Sequence, residues 1–346
     1  MPTKAHGLIL ILWERGFSLA EQEVEIREAL RQAIDEEMTY DDRVFILGEE
    51  VAEYNGAYKV TKGLLDKWGP RRVIDTPITE AGFSGLAVGA ALVGLRPIVE
   101  FMSFNFSFVA FDQIVNNAFK MHYMSGDRFH VPIVFRGPNG AAARVSCQHS
   151  HCVEALYGWF PGCKIVAPSN AYDAKGLLKS AIRDPNPVLV LENELMYGLK
   201  QKIPTEEFFV PIGEGRLLKE GSDVTLIVHG RMVIFGMEAA ETMAKKGVKV
   251  EVIDLRTIKP LDIGMIAKSV RKTKRAVLVE EGHYFTGICS EVAFEIQKHC
   301  FGYLDAPVER VCQKETPLPY SPVLEEESIP NTKRILRALQ EVLKGA

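Results

Sequence analysis

The chain has 346 residues, enough for two ordinary domains, and 47% of them are hydrophobic. Charged residues make up 25% and are mixed in sign, and their formal sum of -4 argues against a nucleic-acid coat or a polybasic membrane binder. No apolar run approaches the roughly 20 residues that cross a bilayer, so no membrane role is expected.

Near the N-terminus, the run GLILILW (residues 7–13) imitates a targeting signal after Lys4. It is short, is stopped by Glu14 and Arg15 and has no small-x-small cleavage site, so residues 1–22 read as an extension of undetermined role. From Glu23, EVEIREALRQAIDEEM sets Ile26, Leu30, Ala33, Ile34 and Met38 at helical spacing. Strand-like VFILGEE and RVIDTPI follow, then a small-residue helix in AGFSGLAVGAALVGL and a strand in RPIVEF. The alternation continues with a helix in FVAFDQIVNNAFKMHYM, strands in VPIVFRGPNG and CKIVAPS, a helix in DAKGLLKSAIRD and a strand in PVLVLENE. Such a pattern implies a parallel sheet covered on both faces. Around residues 199–223 the chain turns polar and rich in turn residues. A second alternation then runs through VTLIVHG, GMEAAETMAKKG, VKVEVIDL, IGMIAKSVRK and RAVLVEEG to a closing helix in TKRILRALQEVL. The expected fold class is α/β in two domains, residues 23–200 and 223–346, joined by a linker over 201–222.

Six cysteines, at positions 147, 152, 163, 289, 300 and 312, show no disulfide framework and read as reduced thiols in a reducing compartment. Two of them flank His149 and His151 in VSCQHSHCVEA, residues 145–155. A metal knot of Cys147, His149, His151 and Cys152 is disfavoured, because four ligands within six residues crowd one backbone. An extended chain would also send Cys152 to the opposite side from the other three.

In DTPITEAGFSGLAVGAALVGLRPIVEFMSFNF, residues 75–106, Glu80 stands where a strand hands over to a helix packed with Gly and Ala. A carboxylate in a first turn complements the positive end of the helix dipole, so helix-start stabilisation and a working carboxylate are both open. Taken alone, FMSFNFSF reads more as core filling than as a platform for a flat ring. Glu49, Glu50 and Glu53 read as a solvated strand exit, and RKTKR (residues 271–275) as a basic surface turn.

These strings together resemble the beta subunits of the thiamine-diphosphate-dependent, decarboxylating component of 2-oxo acid dehydrogenase complexes. The likeness runs from about Val24 to the C-terminus through LGEEV, GAYKV, DTPITE, RPIVEFMSFNF, FDQIVNNA, VPIVFRGPNG, QHS, SAIRDPNPV and LENELMYG. The pyruvate type is the best match. The resemblance implies a transketolase-like pyrimidine-binding domain followed by a transketolase C-terminal-like domain. It carries over to Glu80 the hydrogen bond to N1′ of the cofactor's aminopyrimidine, which promotes ylide formation. Met102 and Phe106 take the pyrimidine platform. His149 of Gln148-His149-Ser150 takes a role in proton transfer or in reductive acylation of a lipoyl group; an imidazole suits either. His151 departs from the family pattern and its role stays open.

Complete enzymes of this kind hold the diphosphate through magnesium, with a Gly-Asp-Gly followed by an Asn. No Gly-Asp-Gly occurs here, so the Mg2+ ligands are expected from an alpha subunit in an alpha2-beta2 heterotetramer, with this chain inactive alone. In some pyruvate-type members a potassium ion is bound, and the matching residues are Ile133, Ala181, Ile182, Asp184 and Asn186; without the resemblance, Asp184-Pro-Asn-Pro is simply a turn. The C-terminal domain is expected to dock on the lipoyl acyltransferase core, with Glu325–Glu327 as a candidate contact. The resemblance places such a protein in the bacterial cytoplasm, the mitochondrial matrix or a plastid. Two other readings stand beside it: a branched-chain 2-oxo acid or acetoin enzyme, and a non-catalytic assembly subunit.

Overall fold

A computed structural model describes residues 20–344. The 7–13 run lies outside the described residues. An antiparallel ribbon pairs β1 (Glu21–Glu25) with a later strand, β8 (Lys200–Pro204). Between them lie β2 (Val44–Gly48), β3 (Val73–Asp75), β4 (Arg96–Glu100), β5 (Val134–Pro138), β6 (Lys164–Val166) and β7 (Val188–Glu192). The C-terminal half contributes β9 (Arg216–Lys219), β10 (Val224–Val228), β11 (Val250–Asp254), β12 (Thr257–Lys259), β13 (Ala276–His283) and β14 (Glu309–Gln313).

Every residue of β2, β5, β7, β10 and β11 is buried, as expected of strands covered on both faces. They build two parallel-dominated sheets, of order β12-β6-β7-β5-β4-β2-β3 and β14-β13-β10-β11-β9. One face of the first sheet is closed by the helices Ile26–Tyr40 and Ala171–Arg183, which bury Leu30, Ile34 and Met38 with Leu177, Leu178 and Ile182. The apolar core on its other face includes Phe83, Phe101 and Phe135 and continues into Ile253, Leu278 and Val292 of the second alternation.

Several elements differ from the sequence expectation. The helix expected from Glu23 starts at Ile26, because residues 21–25 are drawn into the ribbon. There Glu23 faces Lys202 and Glu25 faces Lys200, so opposite charges sit directly across the strands. The polar stretch read as a linker therefore holds two strands, β8 and β9. The helix expected over residues 108–124 is broken into a 3-10 turn at Phe104–Phe108, a wide π turn at Gln113–Ala118 and an α-helix at Phe119–Met124. Strand β12, from beyond residue 223, crosses over to pair antiparallel with β6 and completes the first sheet's edge. A run of three residues carries too little pattern to announce that.

Candidate active site at the ends of the parallel strands

Strands β5, β4, β2 and β3 are parallel neighbours and deliver their carboxyl ends to one edge of the sheet. That edge is where open parallel sheets bind ligands. Glu49 follows β2, the segment leading to Glu80 follows β3, and Met102 and the turn carrying Phe106 follow β4. The register sets Gly48 beside both Asp75 and Glu100, so the strand ends are level. A Cβ on Gly48 would stand 2.4 Å from the Glu100 carbonyl oxygen, which explains a glycine there. The loop after β2 is clamped to β3 by the N–H groups of Ala52 and Glu53, which donate to the Asp75 carboxylate at 2.7 and 3.0 Å.

Glu80 is the first residue of the helix Glu80–Leu92 and is buried, at 6% exposure. Glu49 is buried beside it at 7%; burial, and then the charge of Glu80, push the Glu49 pKa upward. Glu49 Oε1 has no hydrogen-bond partner. An orphaned buried carboxyl oxygen is costly, so the pair of acids is short of a donor. An aminopyrimidine offers ring-nitrogen and amino groups of the kind this pair lacks, so these residues fit that part of thiamine diphosphate. In the sequence Glu80 stands out while Glu49 reads as a solvated exit; the fold buries the two acids close enough for the charge of Glu80 to act on Glu49.

Beneath this edge lies a buried ion network. Arg136 of β5 donates to Glu192 of β7 from Nε and Nη2 at 2.7 and 2.5 Å and to Glu100 of β4 from Nη1, while the Tyr197 hydroxyl donates to Glu192 at 2.7 Å. Burial raises the pKa of Glu100, with Arg136 opposing and Glu192 adding to the rise. One guanidinium between two acids leaves an excess negative charge, which a proton relieves. This network was not foreseen, since residues 36 to 56 positions apart have no local signature.

Phe106 is half-buried, and its ring meets the His149 imidazole edge-on, with centroids 5.2 Å apart. Met102 is half-buried just past β4. The histidine loop is not extended: Cys147–His149 form a 3-10 turn, entered through left-handed Arg144 and Ser146. Cys147 is exposed, while Cys152 turns toward Gly140 and Gly282. The residues of the apparent knot therefore point different ways, for a reason other than strand alternation. His151 lies next to Phe108, and Asn105 Oδ1 accepts from both its backbone N–H, at 2.9 Å, and its Nδ1, at 2.6 Å. Burial, with help from His283 and His149, lowers the His151 pKa, so at neutral pH this ring carries its proton on Nδ1 and offers Nε2 as an acceptor.

Of the residues matched to a potassium site, Ala181 and Ile182 end the helix Ala171–Arg183, Asp184 and Asn186 lie in the turn after it, and Ile133 precedes β5. Their oxygens are already engaged: Ile133 O accepts from Val188 N–H, Ala181 O from Asp184 N–H, and Ile182 O from Arg96 Nη1 at 2.8 Å. The Asp184 carboxylate is paired with Lys164. In the basic run Lys272 pairs with Glu251 and Arg271 donates to the His299 carbonyl, while exposed Glu327 reaches Lys314 at 3.5 Å. A cavity of about 600 Å³, lined by Trp159, Ile258, Leu261, Ile288 and neighbours, contains none of the expected site residues.

The pattern of the transketolase pyrimidine-binding domain matches residues 22–200, and that of the transketolase C-terminal domain matches residues 213–335. The chain is 54% identical over 320 residues to the pyruvate dehydrogenase E1 component subunit beta of Rickettsia felis, covering 92% of this chain and 98% of that one. It is 53% identical over 328 residues to the mitochondrial subunit beta-1 of Arabidopsis thaliana (94% and 90% covered) and 50% identical over 345 residues to the mitochondrial subunit beta of Rattus norvegicus (98% and 96%). The chain belongs to the pyruvate dehydrogenase E1 beta-subunit family. A solved split-gene transketolase, an inactive beta4 tetramer, shares the fold with a TM-score of 0.76 at 23% identity, covering 93% of this chain and 98% of its own. As in the rest of this transketolase-like family, dependence on thiamine diphosphate follows from membership. Among the described residues, no helix is long and apolar enough to cross a membrane.

Proposed function

We propose that this chain is the beta subunit of a pyruvate dehydrogenase E1 component. With an alpha subunit it decarboxylates pyruvate and passes the acetyl unit to a lipoyl group on an acyltransferase core, feeding acetyl-CoA synthesis. The observation that carries the reading is the buried pair Glu80 and Glu49 at the carboxyl ends of adjacent parallel strands.

Thiamine diphosphate, when bound, supplies the electron sink that decarboxylation of a 2-oxo acid requires. The chain's own residues do the rest. Glu80 would hold the aminopyrimidine, and its carboxyl would supply an exchangeable proton at its oxygens, a task a glutamine amide cannot perform. Glu49, its pKa raised by burial and by Glu80, favours retention of a proton within the pair. Phe106 and Met102 offer apolar surface against which a flat ring packs and water is excluded. His149, held edge-on by Phe106, stands ready to move a proton during transfer of the acyl unit. Magnesium ligands come from the alpha subunit, since the chain lacks the diphosphate motif. We place a potassium ion at the Asp184 turn on the family resemblance alone.

The test is co-expression with the alpha subunit, addition of thiamine diphosphate and Mg2+, and a pyruvate-dependent assay with an artificial electron acceptor. Glu80→Gln is expected to lower turnover at least about 100-fold while the heterotetramer still assembles. Full activity in that variant would remove Glu80 from the chemistry, and turnover of 3-methyl-2-oxobutanoate in preference to pyruvate would shift the substrate to the branched-chain class.

A further inference from the structure

Away from the strand ends, the segment HYMSGDRFH between the helix Phe119–Met124 and β5 gathers two histidines and an aspartate. We propose that His122, Asp127 and His130 form a surface site for a late first-row divalent transition metal such as Zn2+. One ligand atom from each side chain lies within 4.8 Å of the other two. His122 Nε2 stands 3.5 Å and His130 Nε2 4.0 Å from Asp127 Oδ1. In a tetrahedral zinc site with bonds of about 2.0–2.1 Å, the ligand atoms are about 3.3 Å apart, so rotations of exposed side chains close the set.

The proton positions favour a cation at this point. His122 Nδ1 is 3.0 Å from the Phe129 carbonyl oxygen, which only accepts, so Nδ1 is the protonated nitrogen. In the neutral ring, Nε2 then presents a lone pair toward a carboxylate oxygen. Nε2 and the carboxylate oxygen stand 3.5 Å apart, close to the separation of two ligand atoms on one divalent ion. The Nδ1–H bond to a backbone carbonyl is also the outer contact that orients a metal-binding imidazole. The two rings are stacked, with centroids 4.9 Å apart, so both present their Nε2 edges to the same carboxylate.

The segment is shaped before any ion arrives. Gly126 and Asp127 both adopt left-handed backbone, at φ 62° and 67°, which folds the carboxylate back toward the helix end. Asp127 N–H donates to His122 O at 3.2 Å, and Ser125 Oγ links His122 O to the Phe129 N–H, each at 3.1 Å. The side chains of Asp127 and His130 are 78% and 53% exposed, which leaves an open entry path and a coordination position for water. Nitrogen ligands select zinc, nickel or copper over magnesium, so this site does not compete for the Mg2+ of the reaction.

The full chain, reduced and stripped with a chelator, is titrated with Zn2+ by calorimetry and with Co2+ by visible absorption. One equivalent is expected to bind, with affinity lowered about 10-fold or more in His122→Gln and again in His130→Asn, and retained in Cys147→Ser. Each variant is checked for an unchanged circular dichroism spectrum. Absence of stoichiometric binding, an affinity equal to the parent's in either histidine variant, or loss of binding in Cys147→Ser would each overturn the proposal.

Discussion

Replacing Arg136 with Met isolates the charge problem beneath the active-site edge. The guanidinium is 1% exposed, and the side chains it serves, Glu100 and Glu192, are 6% and 2% exposed. The substitution keeps most of the volume and strands two carboxylates without a counter-charge. Breaking a buried ion pair costs about 3–5 kcal/mol, most of it the penalty of the charge left behind. At roughly 2–4 °C per kcal/mol for a unit of 150–250 residues, the melting temperature falls by on the order of 10 °C. The loss depends on pH with a fixed sign. Glu100 already holds a folded-state pKa above its unfolded value, and removing Arg136 raises it further. A folded state that binds more protons than the unfolded one loses stability as pH rises above the ordinary carboxylate range. The deficit of the variant is therefore largest near pH 8 and smaller near pH 5.5. Circular dichroism melts at fixed protein concentration measure both quantities. Adding Glu100→Leu and Glu192→Leu to the same chain is expected to recover much of the loss, since an apolar trio of similar volume needs no desolvation. A melting point within about 2 °C of the parent, or a deficit equal at both pH values, would refute the idea that Arg136 balances buried charge.

Three further outcomes follow from the site. In the assembled complex, His149→Gln is expected to slow acetylation of lipoyl substrate about 10–100-fold while leaving decarboxylation with an artificial acceptor closer to normal; equal effects on both assays would place the residue elsewhere in the cycle. His151→Gln keeps a donor for Asn105 and is expected to stay within about threefold of the parent, whereas a loss as large as that of His149→Gln would make His151 part of the chemistry. If potassium sits at the Asp184 turn, replacing NaCl with KCl raises the melting temperature by binding linkage; identical melts in the two salts exclude it.

The parts of the fold that were legible share one property: their signal is carried by consecutive residues. VFILG, VFRGP, VLVLE and VTLIV each declare a two-sided buried strand without help from elsewhere. The ribbon of EQEVE with KQKIP does not, because its pairing joins strands separated by a gap of about 180 residues. The same division runs through the site. Glu80 and His149 were visible because they sit in distinctive local strings. Glu49 and Asn105 were not, since each acquires meaning only from a neighbour on another strand or loop: Glu49 from Glu80, Asn105 from His151. Arg136 lies within the strand-like VPIVFRGPNG, yet nothing in that string says that both adjacent strands bring it an acid.

The helix that begins with Glu80 ties the chemistry to assembly. Its flanks and outer face leave Ile78, Leu86 and Val93 at 84%, 62% and 81% exposure, and its glycines keep that surface flat. Exposed apolar side chains spaced along one helix and its ends are a candidate contact surface. In the proposed heterotetramer, a partner seated on this face would remove water from the same helix that presents Glu80. Coulomb interactions strengthen several-fold as the surroundings dry, so the Glu80–Glu49 repulsion and the demand for a donor both grow on assembly. A chain with Leu86→Glu, charged on the outer face and unchanged at Glu80, should lose turnover in step with heterotetramer formed, as read by sedimentation. Full turnover in a variant that no longer assembles would separate the two and remove the basis for a shared site.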